Sequence, residues 1–192
     1  MLDQKYRDMV DERLSKNSPE RFGNFTPEHA GYIIAQFISK AEKSIEILSG
    51  NFSDSFYDGI SIKPILQQAA KRINANGGKI RIITVNGIRC KKLEMLASEI
   101  NSEFNTDSKG KNEVVVYIPA KAKSPEKIKH FMVVDDMRYR LEEPHEVVAV
   151  GQVPACVKAE ICCNDIQKAS GLRTQFDAAW KEIGGVTDEQ RN

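Results

Sequence analysis

The strongest constraint on this chain is a regular alternation of helix-like and strand-like segments between residues 26 and 120. Thr26 and Pro27 open the first helix, because threonine caps well and proline suits the first turn. Ile33, Ile34, Phe37 and Ile38 then form one apolar face that runs to Ala41. SIEILSG (44–50) follows, with Ile45, Ile47 and Leu48 as a buried strand. Residues 60–75 return to helical spacing through Ile65, Leu66, Ala69, Ala70 and Ile73, and Asn76-Gly77-Gly78 stops them. KIRIITVNG (79–87) is a second strand, 92–104 a third helix, and NEVVVYIPA (112–120) a third strand. A β-α-β-α-β run of this kind folds as a parallel sheet with helices on its faces.

Beyond residue 120 the pattern changes. HFMVVDDMRYRLEEP (130–144) holds two β-rich runs around Asp135-Asp136-Met137, which reads as a hairpin. VVAVG (147–151) and AEICC (159–163) are further strands. A last helix begins near Asn164-Asp165 and buries Ile166, Leu172, Phe176, Ala179, Trp180 and Ile183 before Gly184-Gly185 ends it. The expected fold is α/β: a mixed, largely parallel sheet of six or seven strands flanked by helices. Ahead of it, Leu2, Tyr6, Met9, Val10 and Leu14 share one stripe of a helix that stops at Pro19. The expected organisation is an N-terminal helical arm and linker over 1–25, an α/β domain over 26–185, and a short polar tail over 186–192.

Composition excludes several classes. Apolar residues make up 41% of the 192, enough for a packed core and too many for a disordered chain. The longest apolar runs fall far short of the ~20 residues of a membrane span. Charge alternates with apolar residues through the first sixteen positions, so no signal segment is expected and a cytoplasmic protein is. Cys90, Cys156, Cys162 and Cys163 form no CxxC pair, which suits reduced, buried thiols better than zinc ligands. His29, His130 and His145 are widely spaced, and no metal or cofactor motif accompanies them, so neither is expected.

Four stretches carry a resemblance to a known family: AEKSIEILSGNFSD (41–54), GGKIRIITVNG (77–87), HFMVVDDMRYRLE (130–142) and AEICCNDIQKASGLRTQFDAAW (159–180). Their order and local strings resemble the phospholipase D superfamily. That resemblance implies the family's mixed sheet and a phosphate pocket. It implies a homodimer as well, since single-domain members build their site from two copies. Active members carry His-x-Lys-x-x-x-x-Asp on the strand entering the hairpin. With Asp135 in the aspartate position, the histidine position holds Ile128 and the lysine position His130. With His130 as the histidine, the lysine and aspartate positions hold Met132 and Met137. Neither register supplies the full set, so a degenerate site is expected.

The candidate catalytic residues are therefore His130, Asp135, Arg140 and Glu142. His130 shares a strand face with Met132 and Val134, while Arg138, Arg140 and Glu142 share a face of the second hairpin strand. An Arg–carboxylate fork there serves structure as readily as catalysis. Candidate phosphate contacts are Lys129, Arg138, Ser49, Asn51, Asn164, Lys121, Lys123 and Lys127. Ser49 and Asn51 lie at a strand's carboxyl end, where open α/β sheets bind ligands. Asn164 corresponds to a pocket asparagine in the resembled family and also fits as a helix N-cap.

The +1 net charge hides an asymmetry: residues 60–140 carry 16 Lys/Arg against 8 Asp/Glu. AKAKSPEKIKH holds Lys121, Lys123, Lys127 and Lys129; Arg89, Lys91 and Lys92 form a second group, and Lys71 and Arg72 a third. Such groups suit a nucleic-acid backbone or another phosphate-bearing ligand. No aromatic is interleaved with these lysines, so base stacking is not indicated. Two functions follow from these features. One is a catalytically degenerate module that binds a protein partner or nucleic acid. The other is a metal-independent phosphodiesterase or nuclease using His130.

Overall fold

Alternation along each strand sends successive side chains into two separate cores, one on either face of a single sheet. A computed structural model describes residues 2–50, 62–87, 89–104, 113–144 and 157–183. Its helices are α1 (Gln4–Ser15), α2 (Pro27–Ser39), α3 (Ile62–Ala75), α4 (Lys91–Phe104) and α5 (Ile166–Glu182). Its strands are β1 (Phe22–Asn24), β2 (Ser44–Ser49), β3 (Lys79–Thr84), β4 (Val115–Pro119), β5 (Phe131–Val134), β6 (Arg138–Glu142) and β7 (Ala159–Cys162). The strand expected at 147–151, along with Asn51, His145, Cys156 and Gly184-Gly185, lies outside the described residues.

The sheet order is β1-β7-β6-β5-β2-β3-β4. Only β2–β3 and β3–β4 pair in parallel, and the other four pairings are antiparallel. Five strands nonetheless run the same way, because β5 and β7 alone oppose the rest. The carboxyl ends of those five strands form one edge of the sheet, and His130, which leads into β5, sits on it.

Ile45, Ile47, Ile80, Ile82, Met132, Val134 and Ile161 pack against α2, α3 and α4 in the larger core. Leu48, Ile83, Phe131, Val133, Tyr139 and Cys162 pack beneath α5 through Leu172, Phe176 and Trp180. The first helix joins the larger core through Val10 and Leu14, and its Asp11 accepts a hydrogen bond of 2.8 Å from the Tyr32 hydroxyl. The stretch expected as linker contributes β1, whose Phe22 faces Ile161 of β7.

Two differences at α5 have local causes. Its N-cap is Asp165 rather than Asn164: the carboxylate accepts from Lys168 N at 2.9 Å and is itself held by Arg21. Ile166, expected inside, is the first residue of the helix after that cap and is exposed. The group Lys71 and Arg72 is also structural. Arg72 donates to the carbonyls of Ser39 (2.8 Å), Ala41 (3.0 Å) and Ile38 (3.3 Å), which closes the C-terminus of α2. Lys71 bridges to Glu103 on α4, beside a Lys63–Glu99 pair. At the β4 edge, Asn101 accepts from the N–H groups of Val114 and Val115 and donates to the Val115 carbonyl.

The hairpin turn is unusual in charge. Asp135 and Asp136 both adopt left-handed conformations, φ 54° and 58°, the pair of positive φ angles that matches strand twist. The Asp135 carboxylate accepts from the backbone N–H groups of Glu42 (3.0 Å), Lys43 (2.6 Å) and Ser44 (3.1 Å), and from Arg138 at 3.1 Å. Beneath α5, Glu46 is 1% exposed and meets Arg81 at 3.0 Å and Arg173 at 3.5 Å. Burial pushes its carboxyl above the usual range, against the pull of both guanidiniums. Arg81 continues to Asp177 and lies over the Phe176 and Trp180 rings, while Arg173 pairs with Asp136.

Asp135→Ala should therefore cost about 3 kcal/mol, since it strands three backbone donors, and Asp135→Asn should cost less. Urea denaturation of both variants measures the difference. A pH effect is expected as well. Burial raises the Cys163 thiol from 9.0 to about 11 and the Tyr6 phenol from 10.0 to about 12. Both groups hold their protons more tightly when folded, so their contribution is complete below about pH 9 and is lost as pH climbs towards 11–12. Denaturation midpoints at pH 8 and pH 10.5 should differ, and Cys163→Ala should reduce that difference.

Candidate functional site

Cross-strand pairing at the carboxyl edge builds a buried polar cluster. The Glu142 N–H donates to the His130 carbonyl at 2.8 Å, which sets the two residues opposite one another at the mouth of the hairpin. Glu142 Oε1 lies 3.5 Å from His130 Nδ1, and Glu142 Oε2 lies 2.6 Å from an Arg140 Nη1. Arg140 Nε donates to Asn24 Oδ1 at 3.1 Å, and Asn24 Nδ2 donates to the Val157 carbonyl at 2.6 Å. The chain of contacts joins β5, β6, β1 and the approach to β7. His130 is 9% exposed, Arg140 4%, and Asn24 and Glu142 are buried with them. The second Arg140 terminal nitrogen, Nη2, is buried with no hydrogen-bond partner among the described residues.

Two glycine and aromatic contacts shape the surroundings. Gly50, just past β2, faces the His130 ring so closely that a Cβ there would fall 2.7 Å from both Cε1 and Nε2. Tyr6 on α1 stacks on His29 in the first turn of α2, with ring centroids 3.8 Å apart, and its hydroxyl donates to the Gly23 carbonyl at 3.2 Å. Burial dominates the rise of the Tyr6 phenol, and the nearby positive charge of Arg140 opposes it.

The expected site residues divide between two edges of the sheet. His130, Arg140 and Glu142 come together, with Ser49 ending β2 on the same edge. Asp135, Arg138 and Asn164 lie at the opposite end. Asp135 is committed to the α2–β2 turn, and Arg138 to Asp135 and Asn17. Asn164 follows β7, whose direction carries it towards Met137 at the hairpin tip. The full length of β5 separates Asp135 from His130, about 16 Å. Asn24, Gly50 and Tyr6 carry no motif, and the sequence reading missed all three.

The lysines also find a place. Lys121 bridges back to Asn86 beyond β3, and the segment from there to His130 crosses from β4 to β5 along the carboxyl edge. Ala120, Ala122 and Ile128 pack inward against the α5 core, while Lys121, Lys123, Lys127 and Lys129 stand exposed. None of the four makes an ion pair with a described residue.

The fold has counterparts among solved structures at low sequence identity. Nuc from Salmonella typhimurium, a phospholipase D family member, matches with a TM-score of 0.55 at 16% identity, over 84% of this chain and 94% of that one. The chain has the phospholipase D-type fold. NucT from Helicobacter pylori matches over 87% of this chain and 100% of its own, with a TM-score of 0.52 and 12% identity. TrmBL2, an archaeal chromatin protein described as showing a novel mode of DNA binding, has a TM-score of 0.57 and 9% identity. That match covers 95% of this chain and 62% of TrmBL2. No family model matches the chain, and no curated protein matches it by sequence. Among the described residues no helix is long and apolar enough to cross a membrane, and no cluster of metal-ligating side chains occurs.

The Gly50 contact makes a direct prediction. Gly50→Ala should displace the His130 ring and destabilise the domain by about 1–3 kcal/mol through overpacking. It should also shift the His130 imidazole resonances in a ¹H–¹³C spectrum, while Gly77→Ala, far from the ring, leaves them in place.

Proposed function

We propose that this phospholipase D-type domain is a catalytically silent, nucleic-acid-associated module that holds the phosphate backbone along its carboxyl edge. One observation carries the reading: Arg140 at the centre is buried against Glu142, while the four rim lysines are exposed and make no ion pair among the described residues. Arg140 commits Nη1 to Glu142 and Nε to Asn24. Two residues along the strand from His130, the face continues with Met132, which is part of the core. Phosphoryl transfer to a histidine needs a fixed cation aimed at the charge that develops on the phosphoryl oxygens. The lysines from 121 to 129 instead offer a row of sequence-independent phosphate contacts. The fold similarity to TrmBL2, a chromatin protein described as showing a novel mode of DNA binding, supports this reading. Self-association into a homodimer belongs to the same proposal.

A second reading rests on a specific contact. A carboxylate against Nδ1 is the arrangement that orients a histidine so that Nε2 faces a reacting group. The His130–Glu142 pair therefore supports a metal-independent phosphodiesterase in which Glu142 orients His130.

The test combines binding and turnover. Lys121, Lys123, Lys127 and Lys129 replaced together by glutamine should weaken binding of a labelled DNA oligonucleotide. The salt dependence, log K against log[NaCl], should flatten by about 3, the contribution of four phosphate contacts. His130→Ala should leave binding intact. EDTA-resistant cleavage of DNA or bis-p-nitrophenyl phosphate that disappears in His130→Ala would overturn the silent reading in favour of the second.

A further inference from the structure

The lysine segment of the carboxyl edge holds one hydroxyl that the fold does not use. Ser124 lies three residues after Lys121, one after Lys123, three before Lys127 and five before Lys129. It precedes the short 3-10 turn Pro125–Lys127, yet its side chain does not cap that turn. The Oγ makes no hydrogen bond with a described residue, and the residue is half-buried. By contrast, Ser15, Ser39 and Ser102 each donate their hydroxyl to a carbonyl three residues back.

The backbone presents this hydroxyl at a fixed place. Upstream, Ala120 N donates to the Thr84 carbonyl at 2.7 Å and Ala122 N to the Val85 carbonyl at 2.8 Å. Downstream, Ile128 packs into the α5 core. Between these anchors, Pro125 keeps Ser124 out of the helical region, at φ −141° and ψ 71°. Lys127 N donates to the Ser124 carbonyl at 3.1 Å, which places Lys127 one turn on, about 6 Å along the axis. Lys123 is the chain neighbour of Ser124, and the Lys121 backbone is at most about 11 Å away.

Charge gives this placement its consequence. Residues 121–129 carry four lysines against Glu126, a formal charge of +3. A phosphate monoester on Ser124 adds about −1.5 to −2 at neutral pH, which leaves about +1 to +1.5. Its oxygens stand beside Lys123 and Lys127, the same cations that are offered to a nucleic-acid backbone, so it competes with that backbone for them. The local sequence also defines what can modify it. Pro125 directly after the acceptor has no N–H to donate, and Lys127 places a cation three positions on.

We propose that Ser124 is a phospho-acceptor whose modification switches off the lysine edge. The proposal rests on the nucleic-acid reading above and adds its regulation. In the modifying step, Ser124 Oγ attacks the γ-phosphorus of a nucleoside triphosphate held by a protein kinase. An Oγ–P bond forms, and the bond from that phosphorus to the β–γ bridging oxygen breaks. Nucleoside diphosphate leaves, and the hydroxyl proton passes to the kinase's base.

The experiment has a binding arm and a labelling arm. Phosphoserine is installed at position 124 by genetic-code expansion, or at position 102 as a charge-matched control. Ser102 lies on α4 next to Asn101, which contacts the start of β4, away from the carboxyl edge. Thermal melts confirm that both forms fold. Anisotropy of a labelled DNA oligonucleotide in about 0.1 M NaCl should show the 124 form weakened at least about tenfold, with log K against log[NaCl] flattened by about 1.8, the share of two lysines. The 102 form and Ser124→Ala should bind within about twofold of the unaltered protein. Equal weakening by both phosphoserines, or none at position 124, overturns the switch and leaves the lysine edge standing. In the labelling arm, the unaltered protein and Ser124→Ala are incubated with γ-labelled ATP and a lysate of the cells that make the protein. Label should enter Ser124 and be lost in Ser124→Ala. No label, or label undiminished in Ser124→Ala, overturns the acceptor assignment. Failure of the unaltered protein to bind the oligonucleotide overturns the nucleic-acid reading, and the switch with it.

Discussion

The Asp135 carboxylate joins the two halves of the sheet. Its three backbone contacts fall on the turn that ends α2 and begins β2, and its own residue forms the tip of the β5–β6 hairpin. One side chain thereby sets where β5 ends beside the start of β2 and where β6 returns beside β5. A slip of one residue would turn every core side chain of β5 to the other face. The meeting of His130 with Glu142 at the far end of the hairpin follows from that register. An aspartate that the family pattern places among catalytic residues acts here from the opposite edge, as the fastening that aligns them.

Much of the fold was legible because its parts are locally consistent. Helix spacing in 26–41 and 60–75, the isoleucine-rich strands at 44–50 and 79–87, and the Asp-Asp turn each point to one structure. The strand missed was β1, three residues long with a glycine at its centre. Nothing in so short a stretch outweighs the Ser18-Pro19 break before it, and only pairing with β7 makes it a strand. The same limit applies to the site. Arg140 and Glu142 share a face by simple alternation, so their proximity to His130 could be read from the hairpin. Asn24 and Gly50 reach the cluster only through the sheet order.

Burial decides what the charged groups can do. A guanidinium or carboxylate removed from water must be paired, and Arg140 with Glu142, and Arg81 and Arg173 with Glu46, meet that demand. Once paired, such groups hold strands and helices in place but offer little net charge to a ligand. The lysines of the carboxyl edge make the opposite bargain with solvent. They are exposed and make no ion pair among the described residues. The asymmetry of charge along the sequence is thus sorted by depth as well as by position.

The outer strand of the sheet shows how the molecule avoids its own polymerisation. Asn101 reaches over from α4 and occupies both backbone groups of Val115, as a neighbouring strand would. Pro119, at the other end of β4, has no N–H to offer. A second chain that approached this side would find too few of the alternating donors and acceptors that sheet extension requires. Edge-to-edge growth into fibrils is blunted at its starting point, and association between copies is steered to surfaces where side chains rather than backbone make the contacts.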